Sequence, residues 1–283
     1  GLSFFFNAHI DFFEEIAKYR AARRIWARWL KERYGAKDES SMLLRFHTQT
    51  AGVSLTAQQP MNNVVRTAIE ALAAVLGGTQ SLHTNALDEV LALPTEEAAK
   101  LALRTQQIIA HETGVPDVID PLGGSYFLET LTDRMEELAE AEFARILAMG
   151  EGSMLEGVLT GIERGVFQQA IAESAFGEQE RFERGDLVKV GVTDHVDTID
   201  QPVEILEISH EIEPLQIARV REVRERRDAP AARAALARLE GLAATDANLV
   251  EPLVDCARAL CTEGEIVDAL RRVFGSYTET PRF

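Results

Sequence analysis

The sequence predicts an α/β fold that starts with three β/α units, a slice of a β/α barrel, and continues as a mostly helical region. Two short runs, 45–52 and 78–89, begin apolar and end in amides, hydroxyls and imidazoles. A helix-length segment, 62–76, separates them. This order is typical of parallel strands whose C-terminal ends open into a ligand pocket.

The three predicted units follow one another in the first part of the chain. Asp11 is the expected N-cap of the first helix and Gly35 its stop. Thr95 is the expected N-cap of the third helix, with Glu96 and Glu97 in its first turn. The predicted strands are 2–6, 42–46 and 79–83, and the predicted helices are 12–34, 62–76 and 96–112.

After residue 125 the pattern becomes mainly helical. We therefore expect two regions, 1–125 with the β/α units and 126–283 with the helices. A short extended stretch is predicted at 187–192 within the second region. The predicted helices there are 128–149, 154–183, 214–227, 230–242, 248–261 and 263–274.

Composition restricts the class of partner and the compartment. The 283 residues carry a formal charge of −17, which argues against nucleic acid or an anionic membrane as a partner. No apolar run has the length of a membrane span, and no signal-peptide pattern opens the sequence. Cys256 and Cys261 lack further cysteines or histidines at zinc spacing, so we expect reduced thiols. A cytoplasmic location is predicted.

Polar side chains at the strand ends predict a binding pocket. His47 and Gln49 alternate along a strand and so face one side, and Gln80, His83 and Asn85 recur at the end of the next strand. Asn85 and Glu89 are four residues apart, so on a helix they would share one face. An amide donor and a carboxylate acceptor on that face could hydrogen-bond a vicinal diol. A helix-capping role for Asn85 is equally consistent with the spacing. No glycine-rich phosphate loop, GxSxG or HExxH occurs, which favours a cofactor with its own reactivity.

Five runs of residues resemble a known family. They are RFHTQTAG at 45–52, LTAQ at 55–58, NNVVRTAIEA at 62–71, GTQSLHTNALDE at 78–89 and DPLGGSY at 120–126. The chain resembles the large subunit of adenosylcobalamin-dependent acyl-CoA mutases, the methylmalonyl-CoA mutase family. The resemblance implies a radical 1,2-rearrangement of a short branched acyl-CoA, in which the cofactor does the bond chemistry. It also implies that the three units are the last three of a TIM (β/α)8 barrel.

The resemblance carries site residues over to matching positions. Gln49, Asn85 and Glu89 match positions that hold the adenosyl ribose, and Val53 and Ala92 match positions that contact the corrin. The expected substrate-binding residues are Ser3, His47, Gln80 and Ser81.

Departures from the family pattern indicate a subgroup and missing parts. Val53 stands where methylmalonyl-CoA mutases usually carry tryptophan and Ser40 where they carry lysine, which favours the isobutyryl-CoA mutase-like relatives. Gly1 stands where the family has an arginine that contacts CoA. The cobalamin-binding DxHxxG motif and the first five barrel units do not occur in this sequence. We therefore expect a hetero-oligomer, with the N-terminal part of the barrel and a cobalamin-binding domain or subunit as partners.

Two alternatives remain open at this point. The chain could be a non-catalytic assembly component derived from a mutase, although retention of Gln49, Asn85 and Glu89 argues against that reading. It could also be a barrel enzyme that uses another nucleotide cofactor, for which a phosphate-binding glycine loop would be the discriminating feature.

Overall fold

The computed structural model describes residues 2–197 and 202–278, and within them the strands form one parallel sheet in the order β1-β2-β3. The strands are Phe4–Ala8 (β1), Phe46–Thr50 (β2) and Ser81–His83 (β3). Both pairs are parallel, with Phe5 opposite His47 and His47 opposite Ser81. The predicted α/β class is confirmed.

Each strand is followed by a helix near the predicted position. These helices are Phe12–Glu32 (α1), Asn62–Leu76 (α2) and Glu96–Glu112 (α3). The Asp11 carboxylate accepts from Glu14 N at 3.4 Å, and the Thr95 hydroxyl accepts from Ala98 N at 3.2 Å. Both predicted N-caps are confirmed, since each side chain satisfies an amide that the first helical turn leaves free.

Two strands lie further along the chain than predicted. The apolar residue Met42 belongs to a short 3-10 helix, Glu39–Met42, which Asp38 caps. The strand itself is the more polar segment 46–50, in which Thr48 and Thr50 are fully buried. The predicted strand at 42–46 was therefore wrong, because the apolar run leads into the strand and does not form it. The first strand likewise runs from 4 to 8, two residues later than predicted.

α1 and α2 cover one face of the sheet and form the core with it. Tyr19 of α1 is fully buried and stacks on Phe46, with ring centroids 5.2 Å apart. The Phe6 ring meets Phe46 edge-on at 5.0 Å. The Tyr19 hydroxyl donates to the Asn7 carbonyl at 2.8 Å, which fixes the helix against β1. Aromatic pairs of this geometry add to the free energy gained from burial alone.

The helical region begins with a helix that packs along α1. This helix, Tyr126–Met149 (α4), is capped by Ser125 and bound to α1 by ion pairs. The predicted single helix at 154–183 was wrong: Met154–Glu163 (α5) and Val166–Glu183 (α6) are separated at Gly165, whose φ of +67° breaks the helix. The extended stretch at 187–192 was also wrong, because only a bridge between Val190 and Asp194 forms there.

The contacts divide the chain into two units, Gly1–Leu206 and Glu207–Phe283. The second unit contains Ile212–Arg226 (α7), Ala229–Ala243 (α8), Val250–Arg258 (α9) and Glu263–Phe274 (α10). The Arg227 guanidinium donates two hydrogen bonds of 2.6 Å to the Glu265 carboxylate. This lowers the pKa of that carboxyl to about 2. Cys256 and Cys261 are free.

The predicted division at 125/126 separates sheet from helices and remains a prediction. In the structure α4 to α6 belong to the same unit as the sheet, because α4 packs on α1. No helix in the described part of the chain combines the length and apolar character needed to cross a membrane.

Candidate functional site

The face of the sheet opposite α1 and α2 carries two rows of mostly polar side chains. Side chains alternate along a strand, so residues aligned across the parallel pairs share a row. The first row is Phe5, His47 and Ser81, and the second is Asn7, Gln49 and His83. Each of these residues is exposed or half-buried in the structure. We call this surface the open face, and it is the place where the predicted pocket residues meet.

Gln49 and Asn85 are brought together at the C-terminal end of the strands. The Gln49 amide donates to Asn85 Oδ1 at 3.0 Å, and the Asn85 backbone N–H donates to the Thr50 hydroxyl at 2.8 Å. Asn85 therefore does not cap a helix. The residues after it form successive turns, with Glu89 N donating to the Ala86 carbonyl at 3.2 Å.

A buried donor in this cluster lacks a partner. Asn85 is 2% exposed, and its Nδ2 makes no hydrogen bond with any described residue. A Cβ built on Gly52 would lie 3.3 Å from this nitrogen and 3.7 Å from Cγ of Glu89, so Gly52 is the residue that lets the three segments approach. An unpaired buried amide costs about 1–3 kcal/mol, which an acceptor on a ligand would recover. Amide donors beside an exposed carboxylate suit a hydroxyl-rich ligand.

The four predicted substrate-binding residues line one groove of about 390 Å³ at the other end of the open face. Ser3, His47, Gln80 and Ser81 all border it, together with Phe5 and Arg45. His47 Nδ1 lies 2.7 Å from the Ser81 hydroxyl. The His47 and Phe5 rings are in contact at 5.2 Å. Gly1, the other residue considered for CoA, lies outside the described residues.

Gln80 differs from its predicted position at the end of the strand 79–83. It lies just before β3, and its side chain bonds backbone groups. Its Oε1 accepts from Phe46 N at 2.7 Å and its Nε2 donates to the Gly78 carbonyl at 2.8 Å. Gln80 thus ties the start of β2 to the start of β3.

The two predicted corrin-contacting residues lie on separate turns near the C-terminal end of the strands. Val53 is 73% exposed in the 3-10 turn Gly52–Ser54. Ala92 ends the turn that follows Glu89, with its N–H donating to the Asp88 carbonyl at 3.0 Å.

Three buried polar residues beneath these turns were not predicted from the sequence. Asn63, Thr67 and Glu70 of α2 are fully or almost fully buried. Burial raises the pKa of Glu70 to about 8, with nearby Glu15 raising it further and the Ser54 hydroxyl and Ala51 amide opposing the change. Helical spacing puts these three positions on one side of α2, but only the structure shows that this side is the inner one.

Comparison with known proteins places the whole sheet and most of the helical region in one family. The model of the methylmalonyl-CoA mutase family matches residues 1–276. The 2-hydroxyisobutanoyl-CoA mutase large subunit of Aquincola tertiaricarbonis is 46% identical over 284 residues, covering 100% of this chain and 50% of that protein.

Two proteins named methylmalonyl-CoA mutase show the same extent of similarity. That of Cereibacter sphaeroides is 47% identical over 277 residues, covering 98% of this chain and 38% of that protein. The human mitochondrial protein is 44% identical over 283 residues, covering 99% of this chain and 37% of that protein. This chain therefore spans half or less of the length of these relatives, and it belongs to the methylmalonyl-CoA mutase family.

Proposed function

We propose that the chain is part of an adenosylcobalamin-dependent acyl-CoA mutase and supplies the last three β/α units of its (β/α)8 barrel. Family membership supports the activity, and the sheet supports the architecture. Its strands are parallel and follow chain order, and α1 and α2 pack on one face of the sheet, as in a sector of such a barrel. In that arrangement the open face lines the barrel interior, and β1 and β3 pair with strands from the remainder of the barrel.

Gln49, Asn85 and Glu89 are the proposed contacts of the adenosyl ribose. They lie in one cluster, and the unpaired Nδ2 of Asn85 supplies a donor without a competing partner among the described residues. The Glu89 carboxylate is an acceptor for a hydroxyl. Val53 and Ala92, on the neighbouring turns, are the proposed corrin contacts.

The acyl-CoA is proposed to bind along the groove at the other end of the open face. Ser3, His47 and Ser81 present polar atoms to it, and the Phe5 ring offers an apolar wall. Gln80 takes part through the backbone that it holds, since its side-chain amide is already bonded.

The radical chemistry comes from adenosylcobalamin when it is bound. The residues of this chain bind, orient and exclude water, and none of them is proposed as an acid or base. The remainder of the barrel and a cobalamin-binding domain or subunit are the proposed partners, which makes a hetero-oligomer the expected assembly. The cytoplasmic location remains a prediction, since the relatives include bacterial proteins and proteins named mitochondrial.

The observation that carries the proposal is the Gln49–Asn85–Glu89 cluster at the C-terminal end of a parallel sheet in a chain of this family. The test is an isomerisation assay of the complete protein with adenosylcobalamin. It compares 2-hydroxyisobutanoyl-CoA, isobutyryl-CoA and methylmalonyl-CoA as substrates. We expect cofactor-dependent turnover of at least one, with the branched substrates lacking a second carboxylate preferred. Turnover of none would favour a non-catalytic assembly role.

A further inference from the structure

A segment of the helical region lies against the turn that carries Gly52 and Val53. This segment, residues 187–195, is here called the strap. It is a tight loop closed by its own bonds, with Thr193 N donating to the Lys189 carbonyl at 2.9 Å and Gly191 N to the Asp194 carbonyl at 2.8 Å. Gly191 has a φ of +82° and is buried, although its neighbours in the loop are exposed or half-buried.

Three side-chain hydrogen bonds hold the strap in place, and in each of them the acceptor is a backbone carbonyl. Arg66 of α2 donates to the Val190 carbonyl at 2.7 Å, and Gln59 donates to the His195 carbonyl at 2.9 Å. In the other direction, the ammonium group of Lys189 reaches the Val53 carbonyl at 3.4 Å. Gly191 packs on Gln59 so closely that a Cβ would lie 3.0 Å from the side-chain carbon and oxygen of that amide.

The same guanidinium also holds the residues beneath the candidate site. Arg66 donates to the Thr56 hydroxyl at 2.9 Å and to Asn63 Oδ1 at 2.8 Å. A planar guanidinium with five N–H groups can serve several acceptors in fixed directions, which lysine cannot do.

Asn63 extends this network to the second loop of the site. It is fully buried, and its side chain bonds both the N–H and the carbonyl of Thr56, at 3.0 and 2.9 Å. It also donates to the Leu87 carbonyl at 2.9 Å. Thr56 follows the turn of Gly52 and Val53, and Leu87 lies between Asn85 and Glu89. One chain of hydrogen bonds therefore joins the strap to both loops of the candidate site.

We propose that Arg66 and Asn63 are positioning residues through which the strap fixes the loops 51–59 and 84–92 relative to each other. Neither residue lies in the Gln49–Asn85–Glu89 cluster, and their role is to set its geometry. Hydrogen bonds within a buried network of this kind depend on one another, so loss of one member loosens the rest. The consequence for adenosylcobalamin rests on the proposed function, whereas the mechanical coupling does not.

Hydrogen exchange in the complete protein tests the coupling. The variants are Arg66→Gln, which removes the guanidinium, and Gly191→Ala, which strains the strap and presses on Gln59 but leaves α2 unchanged, so that 84–92 is its informative loop. Arg134→Gln is the control, because Arg134 is an exposed arginine paired with Glu137 on α4. We expect both test variants to speed amide exchange in 51–59 and in 84–92 by about tenfold, and the control to change neither. Exchange in β1 and α1 should stay unchanged.

Two results would overturn the proposal. One is unchanged exchange in the two loops for both test variants, and the other is a general rise that includes β1 and α1, which would indicate loss of overall stability. A titration with adenosylcobalamin then separates this inference from the proposed function. We expect the adenosylcobalamin concentration at half-saturation to rise about tenfold in both test variants. Faster loop exchange in a protein that does not bind the cofactor would retain the coupling and reject the proposed function.

Discussion

The two faces of the sheet differ in how their polar groups are satisfied. On the covered face, the Thr48 hydroxyl donates to the Thr79 hydroxyl at 2.9 Å, and the Thr50 hydroxyl accepts from Asn85 N at 2.8 Å. On the open face, the side chains of His47 and Gln49 each bond one neighbouring side chain, and those of Asn7 and His83 make no hydrogen bond with any described residue. Alternate residues along one strand therefore lie in different environments, buried on the covered face and accessible on the open face.

This difference separates the residues that stabilise the fold from those available for binding. A polar group on the covered face must find its partner inside the chain, because burial without one is costly. A polar group on the open face keeps spare hydrogen-bonding capacity. We therefore expect substitutions on the covered face to change mainly stability, and substitutions on the open face to change mainly ligand binding.

The largest effect is expected for Phe46→Ala on the covered face. Phe46 is 3% exposed and contacts the rings of Phe6 and Tyr19, so truncation leaves a cavity among aromatic side chains. We expect a loss of about 3–5 kcal/mol in the free energy of unfolding, measured by chemical denaturation of the complete protein. Phe5→Ala is the matched control on the open face, where the ring is 59% exposed, and should cost about 1 kcal/mol. Equal costs would contradict the division between the faces.

A second effect is expected at Glu70, the buried carboxyl between α2 and the turn of the candidate site. Burial raises the pKa of Glu70 from 4.5 to about 8. The folded protein therefore holds this proton more tightly than the unfolded chain does. Stability from this group is complete below the ordinary pKa and is lost as the pH rises through about 8.

Glu70→Gln removes this pH dependence, because the amide resembles the protonated acid. We expect the free energy of unfolding of the unmodified protein to fall by about 2–4 kcal/mol between about pH 5 and pH 9, and that of the variant to fall less. Denaturation across this pH range measures the difference. Glu178→Gln, at an exposed position on α6, is the control. A variant that follows the same pH profile as the unmodified protein would show that the Glu70 carboxyl does not remain protonated.

Local chemistry allowed much of the fold to be predicted. The helix caps at Asp11 and Thr95 depend on neighbouring residues only, and both are present. The position of β2 was missed because its burial comes from tertiary pairing. The buried hydroxyls of Thr48 and Thr50 bond Thr79 and Asn85, which lie about thirty residues away, and hydrophobicity alone does not reveal these partners.

The sequence placed Gln49 and Asn85 at the ends of neighbouring strands, and the structure shows Gln49 near the end of β2 bonded to Asn85 just after β3. Their role in binding stays a prediction. The strap could not be predicted, because Arg66 reaches Val190 across 124 residues and bonds a backbone carbonyl that has no sequence signature. Gly165 divides the helix predicted at 154–183, and the sequence alone did not predict this break. Glycine within a helical pattern is often tolerated, so only the positive φ of Gly165 in the structure reveals where the helix ends.

The smallest change in stability is expected for Gln49→Ala on the open face. Gln49 makes one side-chain hydrogen bond, to Asn85, and is half-buried. Gln106 on α3 is a close match, since it is also half-buried and its amide donates to the Thr84 hydroxyl at 3.0 Å. Both alanine variants should lose about 0.5–1.5 kcal/mol in the free energy of unfolding, because each loses one bond of similar kind.

Ligand binding is where the two glutamine variants should separate. Gln49→Ala removes a proposed ribose contact and releases Asn85, whereas Gln106→Ala removes a bond to the buried Thr84 hydroxyl and leaves the side chains of the Gln49–Asn85–Glu89 cluster in place. We expect the dissociation constant for adenosylcobalamin to rise about tenfold in the first variant, equivalent to about 1.4 kcal/mol, and to stay unchanged in the second. Isothermal titration of both proteins measures it. If both variants weakened binding equally, stability and binding would not divide between the faces, and the open face would lose its assignment as the binding surface.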